Sequence, residues 1–154
     1  MQKILFVCLG NICRSPLAEG IAKNYSEHQA LNYEIDSCGT SNFHEGEAPC
    51  DNSVKIANKH SIDISMQRSR PIQKKDFHYY DKIIALDESN LEDLISMGAP
   101  KKKLHKLGAY GYNNQDVPDP YFFKGFEGFE KVFEMIENSV IQLLNETQQH
   151  ATGK

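Results

Sequence analysis

No run of apolar residues here approaches the roughly twenty that a membrane-spanning helix needs. A spanning anchor is thereby excluded, and the chain opens directly into a short apolar segment without a leader pattern. Positive charge is not in excess: 17 Lys and Arg face 21 Asp and Glu, for a net charge of −4. A dedicated nucleic-acid binder would carry a basic face or arm, so that class is set aside. The one basic run, Lys101 to Lys103, follows Pro100 and reads as a solvated turn. There is no CxxC pair among the 4 cysteines, and the 6 histidines show no HxH or HExxH pattern. Neither a zinc centre nor a disulfide framework is expected; reduced thiols in a cytoplasmic protein fit this usage. Internal repeats and linker-like segments are absent as well.

What remains is ordinary globular material: 154 residues, 40% hydrophobic and 25% charged, enough for one compact domain over residues 1–154. Lys3 to Val7, Tyr33 to Ser37 and Asp81 to Leu86 have the length and apolarity of buried strands, with a weaker strand near Leu104 to Leu107. Between them lie helical segments. Ser15-Pro16 predicts a helix start, with serine at the N-cap and proline at the first helical position. Asp51 to Lys59 and the segment after Asp87 are helical, and Phe126 to Leu144 repeats its apolar residues at helical spacing. The polar tail from about residue 147 is expected to fray. Strands alternating with helices predict an α/β fold: a four-stranded parallel sheet with helices on both faces.

Ligands of open α/β sheets bind beyond the carboxyl ends of the strands. After the first strand stands Cys8, followed by Leu9, Gly10, Asn11, Ile12 and Cys13, then Arg14 and Ser15. Backbone amides in such a loop, wrapped ahead of a helix N-terminus, cradle an anion. Arginine grips two phosphate oxygens with its planar fork, and Gly10 and Asn11 tolerate the positive φ of a tight loop. The same field favours the thiolate of Cys8, to which Ser15 can donate. An inert core cysteine is the alternative. Far downstream, "DVPDPYF" from Asp116 to Phe122 offers Asp119 as a proton donor to a departing phenolate; a plain Pro-Asp-Pro turn is the alternative there.

"VCLGNICRSPLAE" together with "DVPDPYF" resembles the low-molecular-weight protein tyrosine phosphatases, and "DSCGTS" and "ALDESNLEDL" extend the likeness along essentially the whole chain. The resemblance implies Cys8 as nucleophile, Arg14 as phosphate ligand and Asp119 as general acid and then base, through a phosphocysteine intermediate. It assigns Asn11, Ser15 and Ser37 to a supporting hydrogen-bond network, and Leu9, Ile12, Phe43 and Tyr121 to the walls of a deep cleft. Phe43 and Tyr121 have the alternative of ordinary loop packing. Cys13 matches a cysteine that can pair reversibly with Cys8; a small buried residue is the alternative. No metal or organic cofactor is implied. The implied partners are phosphotyrosine-containing proteins and a tyrosine kinase, with neither nucleic acid nor membrane, the enzyme acting as a monomer or weak dimer.

Two departures stand out. Many members carry a histidine just before "SRPI", where this chain has "SMQRSRPI" with Gln67 nearest, and Tyr121 is followed by Phe122 in place of a second tyrosine. Three rival readings share the loop. Thioredoxin-coupled arsenate reductases need further cysteines for a relay, and none follows Cys50. Protein-arginine phosphatases commonly carry threonine at the position of Ile12. A non-catalytic phosphotyrosine-binding module would tolerate loss of Cys8 or Asp119, and both are present.

Overall fold

Continuous burial along the first strand, with side chains alternating between two faces, sets the architecture. In the computed structural model, which describes residues 1–120 and 125–152, strand β1 (Gln2–Cys8) sends Ile4, Phe6 and Cys8 into one apolar cluster and Leu5 and Val7 into another. Both faces are therefore covered, as a parallel strand requires. Strand β2 (Tyr33–Gly39), strand β3 (Lys82–Ala85) and strand β4 (Leu104–Lys106) complete a parallel four-stranded sheet in the order β2-β1-β3-β4.

The first cluster packs helices α1 (Arg14–His28), α2 (Asp51–Lys59) and α5 (Glu127–Thr152) on one side of the sheet. Helix α5 buries Phe129, Val132, Phe133, Ile136, Val140, Leu143 and Leu144, the stripe that its periodicity predicts. The second cluster holds α3 (Lys74–Tyr79) and α4 (Glu88–Ser96) through Phe77 and Leu94. Among the described residues no helix is long and apolar enough to cross a membrane.

Three local expectations change. Helix α1 begins at Arg14 with Cys13 at the N-cap, so Ser15 lies within the first turn, fully buried, and its hydroxyl serves the site rather than the cap. The C-terminal helix, expected over Phe126 to Leu144, runs to Thr152; Thr147 is buried and its hydroxyl donates to Leu143 O. Helix α3 has no counterpart in the sequence reading. It is one short turn held by a capping box in which Gln73 N–H donates to Asp76 Oδ2 (2.7 Å), with little apolar period to announce it.

The chain order explains where a ligand can sit. From β1 the chain passes to β2 on one side and then returns to β3 on the other, so the topology switches at β1 and a crevice opens beyond its carboxyl end. Cys8 is the last residue of that strand.

Candidate active site

The loop from Cys8 to Arg14 is shaped by its own side chains and by β2. Asn11 takes the left-handed conformation (φ 57°) that the loop requires. Gly10 does not share it; a Cβ there would meet His44 Cδ2 at 3.0 Å. Gly39, at the end of β2, allows the closest approach: a Cβ would lie 2.7 Å from Leu9 O. Thr40 and Ser41 N–H then donate to Cys8 O and Leu9 O and hold the two strand exits together.

A single line of hydrogen bonds starts at the Cys8 sulfur. Ser15 Oγ lies 2.9 Å from Sγ, and Asn11 N–H donates to Sγ at 3.2 Å. Asn11 Nδ2 donates to Ser15 Oγ (2.7 Å) and to Ser37 Oγ (3.0 Å), while its Oδ1 accepts from Arg70 N–H. Ser37 O–H in turn donates to Glu19 Oε1 at 2.6 Å. The proton directions follow from this order. With Ser37's hydrogen given to a carboxylate and both amide hydrogens of Asn11 given to hydroxyl oxygens, the hydrogen of Ser15 is left to point at sulfur.

Glu19 is the residue that sequence reasoning missed. It lies one helical turn beyond Ser15, is buried between Leu17, Ala18 and Ile21 on the covered face of α1, and is balanced by Lys23 Nζ at 2.6 Å. A carboxylate inside the apolar stripe "PLAEGIA" was the available signal. Gln67 does not take this place: its Nε2 donates to Pro16 O at 3.2 Å, and the network ends on Glu19 instead. Glu19→Ala leaves a buried serine hydroxyl without its acceptor, which costs about 1–3 kcal/mol. Chemical denaturation should show that loss, and kcat is expected to fall about tenfold, whereas Glu19→Gln, whose amide oxygen still accepts, keeps most of both.

Arg14 is buried and pinned from behind. Its Nη1 donates to Asp87 Oδ2 (2.7 Å) and to Val117 O (2.9 Å), so Nε and Nη2 remain for a ligand. Burial works against the charge, but the Cys8 sulfur, then the Asp87 carboxylate, then Asp119 outweigh it and raise the guanidinium pKa above its ordinary value. Asp87 does more than shape the start of α4: one oxygen accepts from Asn90 N–H as the N-cap while the other orients the arginine.

The long segment after β4 is likewise anchored rather than structureless. Val117 is fully buried and its N–H donates to Leu86 O at 2.8 Å. Asp116 accepts from Lys106 Nζ (2.7 Å) and from Glu88 N–H (2.9 Å). The hydrogen bond from Lys106 is the largest influence on Asp116; it outweighs burial and, with the Glu88 amide and the charges of Lys106 and Arg14, lowers the pKa below 3.8. A depressed folded value means that the anchor contributes fully above the ordinary carboxylate range and is lost only as the pH falls through the lowered value. The difference in thermal midpoint between wild type and Asp116→Ala is therefore expected to be constant above about pH 5 and to shrink towards pH 2.

These segments meet around one cleft of about 440 Å³, lined by Cys8, Leu9, Gly10, Ile12, Cys13 and Arg14 from the loop, by Ser41, Phe43 and His44, and by Asp119. Leu9 and Phe43 remain 55% and 80% exposed, an apolar rim at the mouth. Asn11 and Ser15 lie beneath, in the hydrogen-bond network. Tyr121 lies outside the described residues. The Cys13 thiol donates to Cys50 Sγ at 2.7 Å. A thiol backed by a hydroxyl, a buried guanidinium and a carboxylic acid facing one cleft can bind a tetrahedral oxyanion, attack it and protonate what leaves.

A family model described as "Low molecular weight phosphotyrosine protein phosphatase" matches residues 3–152. The low molecular weight protein-tyrosine-phosphatase PtpA of Staphylococcus aureus (strain MRSA252) is 36% identical over 148 residues, covering 94% of this chain and 93% of that protein. The crystal structure of a protein tyrosine phosphatase from Entamoeba histolytica superposes with a TM-score of 0.91 at 33% identity, over 98% of this chain and 99% of that one. DARP, the drosophila arginine phosphatase, superposes with a TM-score of 0.87 at 32% identity, over 95% and 98%.

Proposed function

The chain belongs to the low molecular weight phosphotyrosine protein phosphatase family, and from that premise we propose that it hydrolyses phosphotyrosine monoesters through a phosphocysteine intermediate. The observation that carries this reading is the convergence of Cys8, Arg14 and Asp119 on one cleft, with Ser15 and Asn11 donating towards the Cys8 sulfur.

In the first step the Cys8 sulfur attacks phosphorus in line with the ester oxygen. The amides of the loop and the Nε/Nη2 edge of Arg14 hold the equatorial oxygens, where charge develops. Asp119 gives its proton to the phenolate as the P–O bond breaks. In the second step the same carboxylate takes a proton from water, which attacks the phosphocysteine. Sulfur then leaves as an anion received by Ser15 O–H and Asn11 N–H. None of these steps calls for a metal, so hydrolysis of p-nitrophenyl phosphate should persist in EDTA.

Leu9, Ile12 and Phe43 make the approach to sulfur apolar, which suits an aryl ester; a phosphoserine, held on one methylene, should reach the sulfur less well. The substrates are accordingly phosphotyrosine-containing proteins opposed by a tyrosine kinase, in the cytoplasm, with the phosphatase a monomer or weak dimer. The likeness to an arginine phosphatase leaves one competing substrate class, against which the apolar Ile12 at the cleft speaks. Initial rates on phosphotyrosine, phosphoarginine and phosphoserine peptides, measured side by side, test the choice. Phosphotyrosine should lead by at least about tenfold. Preference for phosphoarginine would move the chain to the other class, and tight phosphopeptide binding without turnover would make it a binding module.

A further inference from the structure

The starts of α1 and α2 are tied together at two cysteines. Cys13 is the N-cap of α1 and Cys50 the N-cap of α2, and their sulfurs lie 2.7 Å apart. Cys50 N–H donates to Ile12 O (2.7 Å), Ser53 O–H donates to Cys13 O (3.1 Å), and Ser53 Oγ lies 3.1 Å from Cys50 Sγ. These contacts hold the two sulfurs side by side between the helix starts. All four cysteines stand as thiols, Cys13 and Cys50 only partly buried, and Cys8 and Cys13 line the same cleft. Cys38 sits in the apolar cluster on the opposite face of the sheet.

We propose that Cys50 is a resolving thiol for the active site: after a peroxide has oxidised Cys8, the oxidation ends as a Cys13–Cys50 disulfide and Cys8 returns to its reduced form. This rests on Cys8 being the reactive thiolate of the proposed reaction. The Cys8 thiolate attacks the peroxide; an S–O bond forms, the O–O bond breaks and hydroxide leaves. The Cys13 sulfur then attacks the sulfenic sulfur, the S–O bond breaks, and water departs with the proton of Cys13. Cys50 attacks the Cys13 sulfur, the Cys8–Cys13 bond breaks, and Cys8 leaves as thiolate while the proton of Cys50 neutralises the hydroxide. In sum, two thiols and one hydrogen peroxide give one disulfide and two waters.

The direction of the last exchange follows from what each sulfur becomes on leaving. Cys8 departs into contacts with Ser15 and Asn11 N–H that stabilise an anion. In the reduced chain the hydrogen bond to Cys50, then burial, then the charges of Cys50, Cys8 and Asp119 push the Cys13 thiol far above its ordinary range; burial and the Asp119 charge persist during the exchange, so Cys13 leaves poorly. Exchange expels the better-stabilised thiolate, which is Cys8.

The test compares wild type with Cys50→Ser, a residue well suited to an N-cap, and with Cys50→Ala as a second variant. Each is treated with one equivalent of hydrogen peroxide, quenched with iodoacetamide and mapped by mass spectrometry without reduction. Before the quench the oxidised wild type should retain most of its turnover of p-nitrophenyl phosphate, and after it the product should carry a Cys13–Cys50 link and an alkylated Cys8. Both variants should carry Cys8–Cys13 instead and lose roughly tenfold in activity until dithiothreitol is added. A wild-type product linked Cys8–Cys13 with Cys50 alkylated overturns the proposal, as does over-oxidised Cys8 in equal yield with and without Cys50. The linkage is read by mass, so a chain that forms it yet fails to hydrolyse phosphotyrosine refutes only the phosphatase reading.

Discussion

Cys8→Ser is expected to remove turnover of phosphotyrosine and p-nitrophenyl phosphate, by on the order of 10⁴-fold or more, while leaving inorganic phosphate bound about as tightly as before. The asymmetry comes from what each part of the loop does. In the proposed mechanism anion binding falls to backbone amides and to Arg14, which is fixed through Asp87 and Val117 O. Attack falls to sulfur alone. A serine hydroxyl at the same position still meets Ser15 and Asn11 N–H, but it remains protonated at neutral pH and is a far weaker nucleophile than a thiolate. Rapid-quench kinetics on wild type should trap phosphate on Cys8, and the variant should show neither burst nor steady-state rate. Residual turnover within tenfold of wild type would mean that another group attacks phosphorus.

Much of this arrangement was readable from residue order. Strand β1 announces itself by four consecutive apolar residues, all fully buried, and α5 by a stripe that keeps its face from Phe129 to Leu144. Glycine, asparagine and arginine between a strand and a helix mark an anion loop because few other uses require that set together. The segment around Asp119 was read by resemblance; its anchoring through Asp116 and Val117 depends on Lys106, Glu88 and Leu86, which no local pattern connects to it.

The parts that escaped notice share a physical reason. Helix α3 is six residues long and stabilised by side-chain capping, so it leaves almost no period to detect. Local sequence allows the Ser15 hydroxyl both a helix cap and a bond to the Cys8 sulfur; tertiary structure keeps the second use, and the cap position falls to Cys13. Glu19 stands among apolar residues in sequence, but its partner Ser37 lies on β2, and only the fold brings the two together. Cys50 lies far from Cys13 in sequence, and their meeting follows from the docking of α2 on α1, a long-range event.

Asp119→Ala is expected to slow phosphotyrosine by about 10²–10⁴-fold and p-nitrophenyl phosphate far less. The leaving group sets the difference. Tyrosine's phenolate belongs to an acid of pKa about 10 and leaves slowly unless a proton reaches it as the bond breaks. Nitrophenolate spreads its charge into the ring and departs without help. If Asp119 supplies that proton, its removal exposes the intrinsic difference between the two esters, and a plot of log kcat against leaving-group pKa turns steeper in the variant. Position supports the role: Asp119 faces the same cleft as Cys8, between two prolines that stiffen the backbone, on a segment tied down at Val117 to both Leu86 and Arg14. Arg14 therefore links the phosphate grip to the loop that carries the acid, and Asp87 links both to α4. Breaking that link with Asp87→Ala should slow phosphotyrosine more than p-nitrophenyl phosphate too, because the acid drifts while the nucleophile stays. Equal slowing of both esters in Asp119→Ala would instead assign Asp119 to holding the loop, and the proton would have to come from elsewhere.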